Sequence, residues 1–347
     1  LWCYMFYIGV TLGCTALLML QYLTGGAWGM VIRRPCEAAA RTLPLLLILF
    51  LPIAIGIPRL YRWSHADIVA HDPVLLHKAV YLNVPFFLIR AAIYFAGWLI
   101  IAYFLYKWSG EQDRGDTRAA GRLAAISGPG LAFYGFSVTF MAIDWILSLD
   151  PDWFSTIFGL LFIAGEALSA LAFLICLLVI LNNRPPLAGV LTHRHLHDIG
   201  KLLLAFVMVW AYFSFSQFLI IWAGNLPDEI PWYVERLRGG WGYIGLSLVF
   251  LHFALPFALL LSRDIKRNFK LLRAVAVLVI VMRFVDLYWL VAPDFRKGNF
   301  GVSWMDFLAP VGLGGIWLAT FLWQLERRPL MPVGDPELEE ALELGRE

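Results

Sequence analysis

Seven polar side chains interrupt runs that are otherwise apolar: Arg90, Asp144, Glu166, Gln217, His252, Arg283 and Asp286. An ionisable group surrounded by apolar residues is costly to keep charged, so each is a functional candidate by default. Glu166 has small neighbours, Gly165, Ala167, Ser169 and Ala170. A carboxyl there could exchange protons, or it could stay neutral and hydrogen-bond to an adjacent helix. Arg283 and Asp286 are three apart and share a helix face. They form either a structural ion pair or part of a proton relay. Asp144 could meet Arg90 across a bundle, as an interhelical pair or as a proton-loading site. His252 stands alone on its apolar segment, as a hydrogen-bonded core group or a proton-transfer group. The proton-path candidates are therefore Asp144, Glu166, His252, Arg283 and Asp286.

Positioning these groups needs long apolar elements. Stretches of roughly 17–25 apolar residues are long enough to cross a bilayer as helices. Nine occur: 1–23, 42–60, 84–106, 128–149, 154–181, 200–223, 241–261, 271–291 and 303–325. The second carries Pro44, Pro52 and Pro58, and a kink is expected there. Leu1 already lies inside an apolar run with no Met before it, so a tenth helix upstream is expected. Residues 1–333 then form one polytopic domain, followed by a short acidic tail, 334–347. Composition agrees. Of 347 residues 61% are hydrophobic and 15% charged, with mean hydropathy +0.73. A soluble domain runs at about 45–50% apolar and about 25% charged. The class is an all-α polytopic membrane protein, and a disordered, collagenous or disulfide-stapled chain is excluded.

Lys and Arg gather on one side of these spans. That side holds Arg33, Arg34 and Arg41, then 107–122, 184–201, 263–273, and Arg327 with Arg328. The opposite side has fewer: Arg59, Arg62, Lys78, Arg236, Arg238, Arg296 and Lys297. The positive-inside rule puts the basic side and the C-terminal tail in the cytoplasm. The outer loops are rich in Trp, Tyr and Pro, as an interfacial belt or a docking surface for a peripheral subunit would be. Segment 61–83, with His65, His71 and His77, is amphipathic and is expected to lie along the outer interface. By depth, Arg90, Asp144, Gln217 and Asp286 fall in the outer half, while Glu166, His252 and Arg283 fall near the midplane. A quinone pocket needs an apolar slot open to lipid and a few hydrogen-bonding groups. Arg90, Gln217 and Asp286 are the candidates to supply them.

Several chemistries lack their ligands. A haem in a helical bundle needs axial ligands, usually a His pair on facing helices, and His252 is the one His well inside a span. No CxxCH, no cysteine set for an iron–sulfur cluster and no P-loop is present; Cys3, Cys14, Cys36 and Cys176 read as small apolar residues. His193, His195 and His197 alternate before span 200–223 and could bind a transition metal. An N-cap role for Asp198 is the simpler use of that stretch. No basic face interleaved with aromatics supports nucleic-acid binding. The chain itself is thus read as holding no metal and no redox cofactor.

Three stretches carry a resemblance: DWILSLDPDWFSTIFG (144–159), DIGKLLLAFVMVWAYFSFSQFLIIWAGNLPDEIPWYVER (198–236) and QYLTGGAWGMVIRRPCEAAARTLP (21–44). With them the chain resembles the NrfD-like, polysulfide-reductase-type membrane subunits, and among these the smaller, ActF-type subunit of alternative complex III. The resemblance implies two four-helix bundles with extra helices, in a bacterial inner membrane. It implies as partners a sister NrfD-like subunit, an outer-face iron–sulfur subunit, c-type haem subunits and small membrane subunits, with haem c and iron–sulfur clusters held by those partners. Menaquinol or ubiquinol would be the reductant, and this subunit would contribute a quinone site, a proton route, or both. Two rivals stand beside that reading. One is a scaffold whose buried charges only hold helices together. The other is a secondary transporter, for which mid-span Pro52 and Pro256 are the motive.

Overall fold

A computed structural model describes residues 1–347 other than 186, 189, 297–299, 336, 337 and 339–347. Lys297 and most of the tail 334–347 lie outside the described residues. Sixteen α-helices follow one another. They are α1 (Trp2–Thr24), α2 (Ala27–Ala40), α3 (Leu43–Ile55), α4 (Ile57–Leu60), α5 (Ala66–His71), α6 (Pro73–Lys78), α7 (Val84–Asp113) and α8 (Ala119–Trp145). Then come α9 (Phe158–Leu181), α10 (His193–Gly224), α11 (Ile230–Leu237), α12 (Gly239–Ser247), α13 (Leu255–Leu261), α14 (Arg263–Arg267), α15 (Phe269–Arg296) and α16 (Met305–Leu325). No strand occurs among the described residues. Among the described residues, eight helices are long and apolar enough to cross a membrane, or nine if the bent pair α2–α3 is one span. The chain is an all-α, multi-pass membrane protein.

The bend between α2 and α3 is 42°. Pro44 at the start of α3 has no N–H to offer the carbonyl four residues back, so the helical ladder is interrupted there. The kink expected in this span thus falls at Pro44, while Pro52 stays inside α3. Span 42–60 reached only the second limb. The first limb, α2, carries Arg33 and Arg34 as buried helical residues rather than as loop charges. A second irregularity is a π-helical stretch, Leu248–Ala254, between α12 and α13. Pro256 cannot bond to the carbonyl of His252, and the ladder widens just before it.

Helices α1 and α9 form the centre, with 89% and 72% of their most apolar windows buried. Helices α2, α3 and α8 pack on α1, with α7 behind them against α8; α10 and α15 pack on α9, with the α12–α13 segment behind them; α16 packs on the outside against α1 and α2. The two groups meet where α1 crosses α9. A Cβ built on Gly13 would stand 2.3 Å from the backbone oxygen of Glu166, so only glycine lets these helices come this close. Segment 61–83 folds into a 3₁₀ turn (Arg62–Ser64) followed by α5 and α6. Tyr61, Trp63, Leu75 and Leu82 are its buried anchors, and Trp63 Nε1 donates to the carbonyl of Ser148 (3.1 Å).

Candidate functional site: two buried charge centres and an apolar slot

The first centre joins α7 to α8. Arg90 donates from Nε to Asp144 Oδ2 (2.8 Å) and from Nη2 to Oδ1 (2.9 Å). The hydroxyls of Tyr81 and Tyr94 donate to the same carboxylate at 2.8 and 2.7 Å. The remaining guanidinium edge donates to the Tyr81 carbonyl (2.9 Å), and the plane lies 3.9 Å from the Tyr81 ring centroid. Asp144 is fully buried and Arg90 nearly so. Both carboxylate oxygens accept two bonds each. Such a saturated bidentate pair is built to hold position. Arg90 and Asp144, read from sequence as partners across the bundle, are partners here, with two tyrosines that the reading did not name.

The second centre lies where α1, α8, α9, α10, the π-helical stretch and α15 converge. Tyr134 donates to Glu166 Oε2 (2.8 Å), while Oε1 is buried and has no partner. Gly9 of α1 closes over the Glu166 side chain. Arg283 crosses directly over Gly165, where a Cβ would collide with the guanidinium. From there it bears electrostatically on both Glu166 and His252, and it forms an ion pair with Asp286 on its own helix. Trp210 Nε1 also donates to Asp286 Oδ2 (3.2 Å). The Trp210 ring stands edge-on to His252, with centroids 4.3 Å apart. His252 has no exposed surface, and neither of its ring nitrogens has a hydrogen-bond partner. Four of the five proton-path candidates, Glu166, His252, Arg283 and Asp286, thus meet in one cluster. Asp144 belongs to the other centre.

Buried polar atoms are nearly always paired, so unpaired ones call for an explanation. Asp144 is oversupplied with donors. Glu166 Oε1 and both His252 nitrogens are undersupplied. Two ionisable groups share one buried neighbourhood, and each keeps a free atom that could take or give a proton.

Beside the second centre, α10 and the α12–α13 segment leave an apolar slot of about 640 Å³. That volume falls in the usual range for a small-molecule pocket. Tyr212, Phe215, Leu246 and Val249, all strongly exposed on spanning helices, are among its lining residues. Gln217, Tyr233 and Trp210 line its interior. Ser155 Oγ donates to Gln217 Oε1 (2.8 Å), and Gln217 Nε2 donates to the Tyr233 hydroxyl (3.2 Å). Among the described residues, no acidic or basic side chain lines the slot. Of the three quinone-site candidates, Gln217 is a wall residue. Asp286 is absent from the lining and lies one hydrogen bond behind the Trp210 wall. Arg90 is engaged with Asp144 in the other bundle.

Several sequence readings fall elsewhere. The helix begun near Asp198 starts earlier. Thr192 is its N-cap, in a capping box with His195, so Asp198 lies inside the helix and pairs with Lys201 (3.1 Å). The three histidines take separate partners: His193 meets the Arg267 carbonyl, His195 meets Thr192 and His197 lies near Asp198. Among the described residues no three His, Cys, Asp or Glu side chains cluster as metal ligands would. Arg33 and Arg34, counted as loop charges, are buried in a network with Glu37, Ser109, Gln112, Asp113 and Asp335. Their spacing to Glu37, three and four residues, was the available sign of a helix. Tyr81, Tyr94, Tyr134, Trp210 and Tyr233 had no such sign among 13 Tyr and 15 Trp.

A scan against models of known protein families matches none of them, and a search of curated proteins finds no similar chain. The resemblance to NrfD-like subunits therefore rests on the three stretches quoted above. What fold and site define is a class: a multi-pass membrane protein with one saturated charge clamp, one under-satisfied ionisable centre and a neutral slot open toward lipid.

Proposed function

We propose that this chain is an integral membrane subunit of a quinol:electron-acceptor oxidoreductase of the alternative complex III kind. In this reading it holds no redox centre itself. It houses a quinone or quinol in the slot and handles protons at the Glu166–His252 centre, beside partner subunits that carry haem c and iron–sulfur clusters. It sits in a bacterial inner membrane with its C-terminus in the cytoplasm.

One observation carries the reading. Trp210 lines the slot on one side, and on the other it donates to Asp286 and packs against His252. A bound ring would touch the same side chain that touches the ionisable cluster. The slot also suits a neutral carbonyl-bearing head. Tyr233 accepts from Gln217, which leaves its own hydroxyl hydrogen free for a ligand oxygen. Gln217 and Trp210 are seven residues apart on α10, about 10 Å of helix rise, so polar contacts bracket a ring-sized space. The scaffold alternative finds its support in the Arg90–Asp144 clamp, which is complete without any ligand. It gives no reason for Glu166 Oε1 and His252 to stay unpaired.

Photolabelling tests the slot. A photoreactive azidoquinone, irradiated with the purified complex, is expected to mark peptides from α10 and the α12–α13 segment. The double variant Gln217→Leu, Tyr233→Phe is expected to need about tenfold more azidoquinone for the same labelling, the loss of one to two neutral hydrogen bonds. Labelling confined to other helices, or unchanged in the double variant, would count against a quinone here.

A further inference from the structure

The turn between α13 and α15 is strongly basic. Residues 263–273 hold Arg263, Lys266, Arg267, Lys270 and Arg273 against one acid, Asp264. None of these five cations forms an ion pair among the described residues. Lys201 and His197 approach from α10: Lys201, Lys266 and Arg267 all bear electrostatically on His197, and Asp198, held by Lys201, is the carboxylate beside them. Lys266 is the unusual member. It is 7% exposed, its stem lies over Gly200 of α10 so that a Cβ there would stand 3.0 Å from Lys266 Cγ, and no acid meets its ammonium. Burial, and then the charge of Lys201, push its ammonium below the ordinary lysine value. The stem is packed away while the ammonium end stands beside Lys201 with no acid of its own, a local excess of positive charge that an anion would offset.

The location says which anion. Helix α13 ends at Leu261 and α15 begins at Phe269, so the turn is at the height where two apolar spans leave the bilayer. Just below it, Leu255, Leu261, Leu271 and Val277 are exposed side chains facing hydrocarbon. A ligand there would meet positive charge at its head and apolar surface along its tail. We propose that Lys266, Lys201 and Arg267 bind the phosphate of an anionic phospholipid headgroup, in the junction between α10 and the α14–α15 turn. This site is separate from the slot and does not rest on the quinone reading. The long stems of Lys and Arg cover the acyl region while their charged ends meet the phosphate.

The test is lipid binding by the full chain, purified in detergent with the partners that copurify and stripped of native lipid. Native mass spectrometry during titration with dioleoyl-phosphatidylglycerol or dioleoyl-phosphatidylcholine reads the preference. Wild type is expected to retain the anionic lipid at least about fivefold better, the equivalent of one surface cation near a charged headgroup. Lys266→Gln should lose that preference. Arg267→Gln, exposed and free of packing constraints, should weaken it if the Lys266 variant folds poorly. Lys107→Gln, an exposed cation near the end of α7 on the same basic side, should leave it intact. Equal retention of the two lipids would overturn the proposal, as would an equal loss in Lys107→Gln. Displacement of the lipid by millimolar inorganic phosphate would show a site for a soluble anion instead. A many-fold gain in lipid binding on removing the acidic residues 339–347 would show that the chain's own tail is the occupant.

Discussion

Replacing Asp144 by alanine is expected to cost the folded chain about 3–5 kcal/mol, the usual penalty for removing one partner of a buried ion pair. The reason lies in what remains behind. Arg90 would keep a buried guanidinium with two N–H donors pointing at nothing, and the Tyr81 and Tyr94 hydroxyls would lose their acceptor as well. In hydrocarbon no water replaces them. The change should appear as a collapse of the folded fraction in thermal unfolding followed by size-exclusion chromatography. Removing both charges, as Arg90→Leu with Asp144→Leu, should recover part of the loss, because no uncompensated ion is left. If Asp144→Ala unfolds within a degree or two of wild type, Arg90 and Asp144 do not form the clamp that holds α7 to α8.

Glu166→Gln should do the opposite. The amide is the same shape, its oxygen can still accept from Tyr134, and its second polar atom occupies the position of an Oε1 that already lacks a partner. Stability should therefore stay close to wild type. Turnover should not. A group that gives and takes protons contributes about 10²–10⁴-fold where it acts, and glutamine cannot replace it. Quinol oxidation by the assembled complex is expected to fall about 100-fold or more in Glu166→Gln, with subunit composition and haem content of the preparation unchanged. Unchanged quinol turnover in a fully assembled Glu166→Gln complex would return the second centre to a scaffolding role. The two carboxylates thus separate by what surrounds them. One has four donors and should matter to folding; the other has one donor and should matter to rate.

Sequence alone located the membrane spans because apolar runs of this length have few other uses. It also picked out seven of the buried polar side chains, since polar groups inside such runs stand out. It read the Arg90–Asp144 encounter correctly as geometry, from residues of opposite charge at similar depth. It could not sort the rest into two centres. Asp286 was paired with Arg283 from their spacing, and that pair forms, but it was also grouped by depth with Arg90 and Gln217, whereas its further partner is Trp210. Arg33 and Arg34 looked like loop charges because a span was begun at 42. The preceding limb is only weakly apolar, and its arginines are neutralised by Glu37, Asp113 and Asp335, which are far apart in sequence or one helical turn away. Of the slot, the sequence marked only Gln217. Its walls include Leu248, Val249 and Phe253 of the π-helical stretch, and Gln217 is tied to Ser155 and Tyr233 from two other segments. Pairings across helices depend on rotation about each axis, and hydrophobic patterning fixes that weakly when helices are apolar all round.

The most direct check on the under-satisfied centre is infrared difference spectroscopy of the assembled complex, recorded as quinol is added. The account predicts a carboxylic C=O band that shifts or disappears in wild type, is absent in Glu166→Gln and persists when Gln217 alone is changed to Leu. The same band at full strength in Glu166→Gln would mean that the protons are handled elsewhere, and that this cluster is only part of the packing.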